Sequence, residues 1–311
     1  MNELTTLLNI KYPIFQGGMG NISNSQLTAA VSEAGGLGTI GAGTMSPEQV
    51  ERIIIETKTL TSKPFALNIA LSVSPHVIEL LKLVVKHHVQ VVSLSAGNPA
   101  PYIGKLHEHG VKVISVVASV RQAIKAESAG VDVIVAEGYE AAGINSPIET
   151  TTLTLIPQVV DAVQIPVVAA GGIADGRGLA AMLVLGAKGI QMGTRFIATK
   201  EAPFHDEYKQ KLIASDDTGT VIVGRSVGKI RRVMRTEYAD HLLSVEKFGI
   251  NADDFQALTT EDVHRIGALE GNGEKGFMNG GQISGLIKDI PTVAELLEEM
   301  VEIAKQKVRF E

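Results

Sequence analysis

The chain has 311 residues, 45% of them hydrophobic and only 4% aromatic, with a formal net charge of −6 and no cysteine. That length suits one large domain with an elaboration, or two smaller ones. The acidic balance argues against a general nucleic-acid binder, and the missing cysteine excludes disulfides, iron–sulfur clusters and thiolate catalysis.

With so few aromatics the core must be built from Val, Ile, Leu and Ala, as in a parallel sheet covered by helices. Short β-branched runs predict strands over 14–16, 37–41, 65–69, 89–93, 111–117, 132–136, 166–170 and 189–191. Stretches of helical period between them predict helices over 25–34, 47–57, 74–87, 99–109, 119–129, 152–163 and 176–185. Several of these helices end on Gly before an apolar strand, as in His109-Gly110-Val111 and Ala129-Gly130-Val131. Glycine there takes the left-handed conformation that stops a helix. Eight strand–helix repeats imply an α/β fold closed into a (β/α)8 TIM barrel over residues 1–194.

Beyond the barrel, residues 195–281 are polar and irregular, with helix-like pieces at 206–215, 228–240 and 260–267. They are expected to form a lid or small substrate-binding domain over the barrel mouth. Residues 282–311 carry an amphipathic helix over 292–306 that is expected to pack back on the barrel. The first twenty residues lack a secretory pattern, and no apolar run approaches the roughly 18 residues of a membrane span. The protein is expected to be soluble and cytoplasmic, with no membrane or nucleic-acid partner.

The most informative stretch runs from Pro166-Val-Val-Ala-Ala-Gly171-Gly172 to Lys188-Gly-Ile-Gln191-Met-Gly193-Thr194. Two neighbouring strand ends with little or no side chain leave backbone N–H groups free to hold one phosphate. This is the layout of the phosphate site after the seventh and eighth strands of such a barrel. Gly36-Leu-Gly38-Thr-Ile-Gly41 spells G-x-G-x-x-G, but its glycines lie within the strand and no helix opens on them, so a Rossmann site is not expected. Gln16-Gly-Gly18-Met19-Gly20 follows the first strand, where glycine lets the backbone approach a ligand. Asn68, Glu137 and Gln191 sit at strand ends, where barrel enzymes place functional side chains.

The eight histidines show no zinc-site spacing, so no metal site is predicted and surface or helix-packing roles are expected for them. The segment Arg225-Ser-Val-Gly-Lys229-Ile-Arg231-Arg232-Val-Met-Arg235 carries five positive charges. It reads as a solvated helix face, or as a landing patch for an acidic partner or a cofactor phosphate.

Ile14-Phe-Gln-Gly-Gly-Met19, Ala34-Gly-Gly-Leu-Gly38, Pro64-Phe-Ala-Leu-Asn-Ile69, Ala136-Glu-Gly138, Ala169-Ala-Gly-Gly-Ile-Ala-Asp175, Gln191-Met-Gly-Thr-Arg-Phe196 and Met278-Asn-Gly-Gly-Gln-Ile283 occur in order. Together they resemble the FMN-dependent enoyl-acyl-carrier-protein reductases and, more distantly, the nitronate monooxygenases of the same superfamily. The resemblance implies FMN with its phosphate on Gly171, Gly172, Gly193 and Thr194. It also implies Gly18 and Met19 against the ring, with Asn68, Glu137 and Gln191 as polar contacts. NADH or NADPH is implied as electron donor, a small-molecule or carrier-bound enoyl compound as substrate, and a homodimer as the assembly.

One departure stands out. The family motif Glu-Ala-Gly-Gly-His after the sixth strand carries a histidine assigned to the catalytic site, whereas this chain reads Glu140-Ala-Ala-Gly143-Ile144-Asn145. Asn145 becomes the candidate catalytic residue, able to donate a hydrogen bond but not to exchange a proton near neutral pH. The favoured activity is enoyl thioester reduction in fatty acid synthesis. Nitronate or quinone chemistry on the same flavin, a non-flavin phosphate-binding barrel and a silent binding protein are the alternatives.

Overall fold

The computed structural model describes residues 3–308. Its eight-stranded parallel sheet contains β1 (Ile14–Gln16), β2 (Gly38–Gly41), β3 (Phe65–Ala70), β4 (Val91–Ser95), β5 (Lys112–Val117) and β6 (Val133–Glu137). A two-residue strand outside the sheet, β7 (Gly143–Ile144), comes next in the chain. The sheet is completed by β8 (Val167–Ala170) and β9 (Gly189–Met192), its seventh and eighth strands. The strand order is β1-β9-β8-β6-β5-β4-β3-β2, and a bridge between Phe15 and Leu37 joins the two ends into a closed (β/α)8 barrel.

All eight predicted strands are present, with end shifts of a residue or two; the fourth runs over Val91–Ser95 rather than 89–93. The seven predicted helices between them also form. Ser46 illustrates how they start: its hydroxyl accepts from the N–H of Gln49 while the Gln49 side chain reaches back to the Ser46 N–H. This capping box satisfies two donors that the helix itself leaves unpaired.

A helix at Glu3–Leu8, which the sequence reading omitted, closes the bottom of the barrel. Leu4, Leu8 and Ile10 are buried in one cluster with Phe15, Leu37, Ala66, Val91, Ile114, Val133 and Val168. The fit is tight, since a Cβ on Gly189 would come within 2.7 Å of Leu4 Cδ2. At the other end of the chain, the helix Val293–Val308 lies against the helix Gly176–Val184. Gly176 permits that approach: a Cβ there would meet the Met300 carbonyl oxygen at 2.4 Å.

Residues 195–281 hold a helix at Asp206–Ile213, a hairpin of β10 (Thr220–Val223) and β11 (Arg231–Met234), and helices at Glu237–Lys247, Ala252–Leu258 and Glu261–Glu270. The helix expected over 228–240 is therefore corrected: its first part is a strand. The hairpin wins because β11 pairs antiparallel with β10 on one edge and with β7 on the other. A helix would have exposed the charges of Arg231 and Arg232, but both residues are buried in the strand. Val221, Val223, Val233, Ala239, Leu242, Phe255 and Phe277 give this region a small core of its own.

Candidate active site

A cavity of about 780 Å³ lies over the C-terminal ends of the barrel strands, within the size range of small-molecule and cofactor sites. It brings together the ten residues named as candidate cofactor-binding or catalytic groups: Gly18, Met19, Asn68, Glu137, Asn145, Gly171, Gly172, Gln191, Gly193 and Thr194 all line it.

The floor of one side is the predicted phosphate cradle. Gly171 and Gly172 turn with φ of +88° and +73°, a region that side-chain-bearing residues rarely occupy. A Cβ on Gly193 would enter open space. Neither the Gly172 nor the Gly193 N–H has a protein partner among the described residues. Thr194 Oγ1 accepts from the N–H of Gly281, which leaves the hydroxyl proton free to donate into the cavity. Glu140 sits beside this cradle and also lines the cavity. Its two oxygens accept from the N–H of Thr152 at 3.0 and 2.9 Å, at the start of the next helix.

The opposite side is shaped by the loop after β1. A Cβ on Gly18 would fall 2.6 Å from Asn68 Oδ1, so only glycine lets that loop lie over Asn68. Asn68 in turn is fixed by donating from Nδ2 to the Ser93 carbonyl at 3.2 Å, with Ser93 Oγ and Ser95 Oγ at 3.3 Å. Glu137 lines the cavity, and its carboxyl has no hydrogen-bond or ion-pair partner among the described residues. Burial pushes its carboxyl up to about 7, because the charged form loses hydration and gains nothing in return.

These features fit a flavin mononucleotide. Free N–H groups at two strand ends suit its phosphate, a cradle without Cβ atoms admits close approach, and an orphaned carboxyl suits its polar groups. No group of three His, Cys, Asp or Glu side chains able to hold a metal ion occurs among the described residues. No helix among the described residues is long and apolar enough to cross a membrane.

The sequence model of the nitronate monooxygenase family matches residues 1–79 and 73–302. The chain belongs to the nitronate monooxygenase family. FabK from Thermotoga maritima superposes with a TM-score of 0.94 at 42% identity, covering 99% of this chain and 97% of that one. Nitroalkane oxidase from Streptomyces ansochromogenes gives a TM-score of 0.86 at 26% identity, covering 99% and 100%. A (3aS,4S,5R,7aS)-5-hydroxy-7a-methyl-1-oxo-octahydro-1H-indene-4-carboxyl-CoA dehydrogenase from Rhodococcus jostii is 34% identical over 98% of this chain and 96% of its own length. A probable nitronate monooxygenase from Staphylococcus saprophyticus is 35% identical, covering 98% of both chains. This nitronate monooxygenase family member is thus an oxidoreductase of a flavin-dependent group whose named activities diverge.

Within the family motif after β6, Ile144 is largely exposed at the cavity and offers no polar group. Asn145 is buried, and its Nδ2 donates to the Ala141 carbonyl at 2.9 Å, with the Gly143 carbonyl at 3.4 Å. The amide donor assigned to chemistry from the sequence thus holds the turn of its own loop, and Oδ1 is the atom without a partner among the described residues.

Residues 195–281 supply side chains that the sequence reading did not place here: Tyr208, Arg231, Glu261, His264 and Asn279 line the same cavity. His264 packs from its helix, as expected of the histidines, and lines the cavity as well. It is buried, stacks on Phe277 with ring centroids 5.1 Å apart, and has the Asn279 amide nitrogen 3.2 Å from Nε2. Glu261 Oε2 lies 3.8 Å from His264 Nδ1 and accepts from the N–H of Asn21 in the loop after β1. Burial opposes the charge of Glu261, but the His264 side chain, Arg231 and the Asn21 N–H outweigh it and hold the carboxyl at about 2. Glu261 and His264 are three residues apart on one helix, but Arg231, Asn279 and Asn21 join them only through tertiary packing.

The basic segment is likewise rearranged. Arg231 and Arg232 are buried, and Arg225 and Arg235 are engaged with Glu149 and Asp240 at 3.2 and 3.8 Å. Lys229 is the one charge of the five left both exposed and without an ion pair.

Proposed function

We propose that the chain is an FMN-dependent NAD(P)H oxidoreductase that reduces an enoyl thioester in fatty acid synthesis. The net reaction adds a hydride equivalent and a proton across the conjugated C=C bond while the nicotinamide is oxidised. The observation that carries this reading is the pairing of the Gly172/Gly193 phosphate cradle with a cavity whose family-motif position is Ile144. A site without a base at that position is poorly equipped for proton abstraction, whereas hydride chemistry resides in the cofactor.

Gly171, Gly172, Gly193 and Thr194 would hold the phosphate of FMN, and Gly18, Met19, Asn68, Glu137 and Gln191 would frame its ring and side chain. When bound, FMN supplies two-electron redox chemistry between a nicotinamide and an acceptor. Glu137, kept neutral in part by burial, can donate a hydrogen bond as well as accept one. Tyr208, Arg231, His264 and Asn279 complete the wall of the cavity over the barrel mouth. Likeness to FabK at 42% identity and to a dehydrogenase named for a CoA thioester supports a thioester acceptor.

A soluble thioester fits the surface better than a docked acidic carrier, because four of the five charges expected to form a carrier patch are buried or paired. Anaerobic mixing with NADH or NADPH and then with crotonyl-CoA tests the proposal. Bleaching of the flavin by NADH or NADPH followed by return of colour on adding the thioester is expected; a flavin that stays oxidised for minutes with both refutes it. The family match favours nitronate oxidation as the second reading. Oxygen uptake with an alkyl nitronate in the absence of NADH would support that reading instead.

A further inference from the structure

We propose that Arg231 is the oxygen-anion receptor of this cavity, binding the carbonyl oxygen of the acceptor and, equally, the carboxylate of a small unsaturated acid. In naming the acceptor the inference rests on the enoyl thioester reading; in naming an oxygen-anion subsite it does not.

Arg231 is 8% exposed and lines the cavity. Lys125, the other non-histidine cation of the lining, is exposed at the rim. No carboxylate lies within ion-pair distance of Arg231 among the described residues. Its hydrogen bonds are both long, from Nη1 to Asn279 Oδ1 at 3.5 Å and from Nη2 to the Thr259 carbonyl at 3.4 Å. The guanidinium also sits over the Phe277 ring, 4.7 Å from its centroid. A guanidinium has five N–H donors in a rigid fork, so most of them are without a close acceptor. Glu261 is the carboxylate that acts on it, from beyond contact, and its oxygens face Asn21 and His264. A buried and weakly satisfied cation is costly, and an incoming anionic oxygen relieves that cost.

Strand register places Arg231 beside Ile144, the family-motif position in the cavity. It is paired across the β11–β7 ladder with Ile144, and directly opposed residues project to the same face of a sheet. Ile144 is apolar, and the Asn145 amide nitrogen is engaged by its own loop, so Arg231 is the strong donor on this wall. Phe277, Asn279 and the Thr259 carbonyl fix the plane of the fork.

Addition of hydride to the β-carbon of an enoyl thioester moves an electron pair onto the carbonyl oxygen. Arg231 donates hydrogen bonds to that enolate oxygen, and water delivers the proton to the α-carbon, because a guanidinium does not release its own.

The test titrates crotonate into the purified holoprotein by calorimetry. Saturable binding is expected, weakened at least tenfold in Arg231→Gln and partly restored in Arg231→Lys. In Asn279→Asp, which places a counter-ion beside Nη1, the same tenfold weakening is expected. A wild-type protein that binds no crotonate, or equal affinities in wild type, Arg231→Gln and Asn279→Asp, overturns the proposal. Reoxidation by the uncharged crotonyl N-acetylcysteamine thioester is expected to slow by about 100–1000-fold in Arg231→Gln; an undiminished rate overturns Arg231 as the carbonyl receptor. A wild-type protein that binds crotonate through Arg231 but is not reoxidised by any enoyl thioester refutes the enoyl reading and leaves the oxygen-anion site standing.

Discussion

The N–H of Gly281 donates to Thr194 Oγ1 at 2.9 Å, tying the C-terminal glycine loop to the end of the last barrel strand. The same loop reaches the β6 side, where the Gln282 N–H donates to the Glu140 carbonyl at 2.9 Å. The glycine turns at Gly171 and Gly193 are thus walled by a segment nearly ninety residues further along the chain than Thr194.

Gly172→Asp is expected to abolish FMN binding while the barrel still folds. The new side chain would start 3.2 Å from Glu140 Oε1 and would require a backbone φ of +73°. Its carboxylate would also face a phosphate dianion, a repulsion above about 1 kcal/mol at 4 Å even in water-like surroundings. Flavin fluorescence polarisation measures the loss; wild-type affinity would remove Gly172 from the phosphate site.

Glu137 makes stability depend on pH. An unfolded glutamate titrates near 4.5, and the buried one near 7. Because the folded value is raised, its contribution is fully present below pH 4.5 and is lost as pH rises through about 7. The protein without cofactor should lose about 1–3 kcal/mol across that window, the upper end being trimmed by cavity water. Glu137→Gln should flatten the profile, as urea unfolding at pH 5 and pH 8 would reveal. Identical slopes in both proteins would contradict the assignment.

Glu261 ties residues 195–281 to the loop after β1 through the Asn21 N–H. Its folded value is depressed to about 2, so its contribution is present above pH 4.5 and disappears as pH falls toward 2. At neutral pH Glu261→Gln is expected to cost about 2–3 kcal/mol and to make residues 195–281 more sensitive to limited proteolysis than the barrel. Equal cleavage rates in the two proteins would show that the Glu261–Asn21 contact does not hold the lid.

Asn145→Ala removes the side-chain hydrogen bonds to Ala141 and Gly143 and is expected to cost about 1 kcal/mol. FMN should remain bound, and turnover should change because the loop carrying Ile144 loosens. Unchanged rates with every acceptor would reduce Asn145 to a turn residue alone.

The barrel was legible in the sequence because each repeat is locally self-consistent. Val133-Ile-Val-Ala-Glu137 can only bury as a parallel strand, and Gly130, with φ of +96°, stops the helix before it. The two bare strand ends were legible for the same reason, since Gly171, Gly172 and Gly193 carry no side chain and the first two turn with positive φ. Arg231 was misread because a run of charges resembles a solvated helix, and only its pairing with Ile144 across β7 makes it a buried strand residue. His264 was passed over because its role depends on Asn279 and Glu261, fifteen and three residues away, meeting over a loop at Asn21. The helix Glu3–Leu8 was missed because its few apolar residues gain their meaning only from the open barrel end beneath them.

Titration of the purified protein with flavin mononucleotide, followed by its visible absorption and compared with riboflavin, tests the account most directly. Saturable uptake of one FMN per chain, with riboflavin bound far more weakly because it lacks the phosphate, is the predicted result. Well-folded protein that stays colourless and takes up neither compound would contradict it.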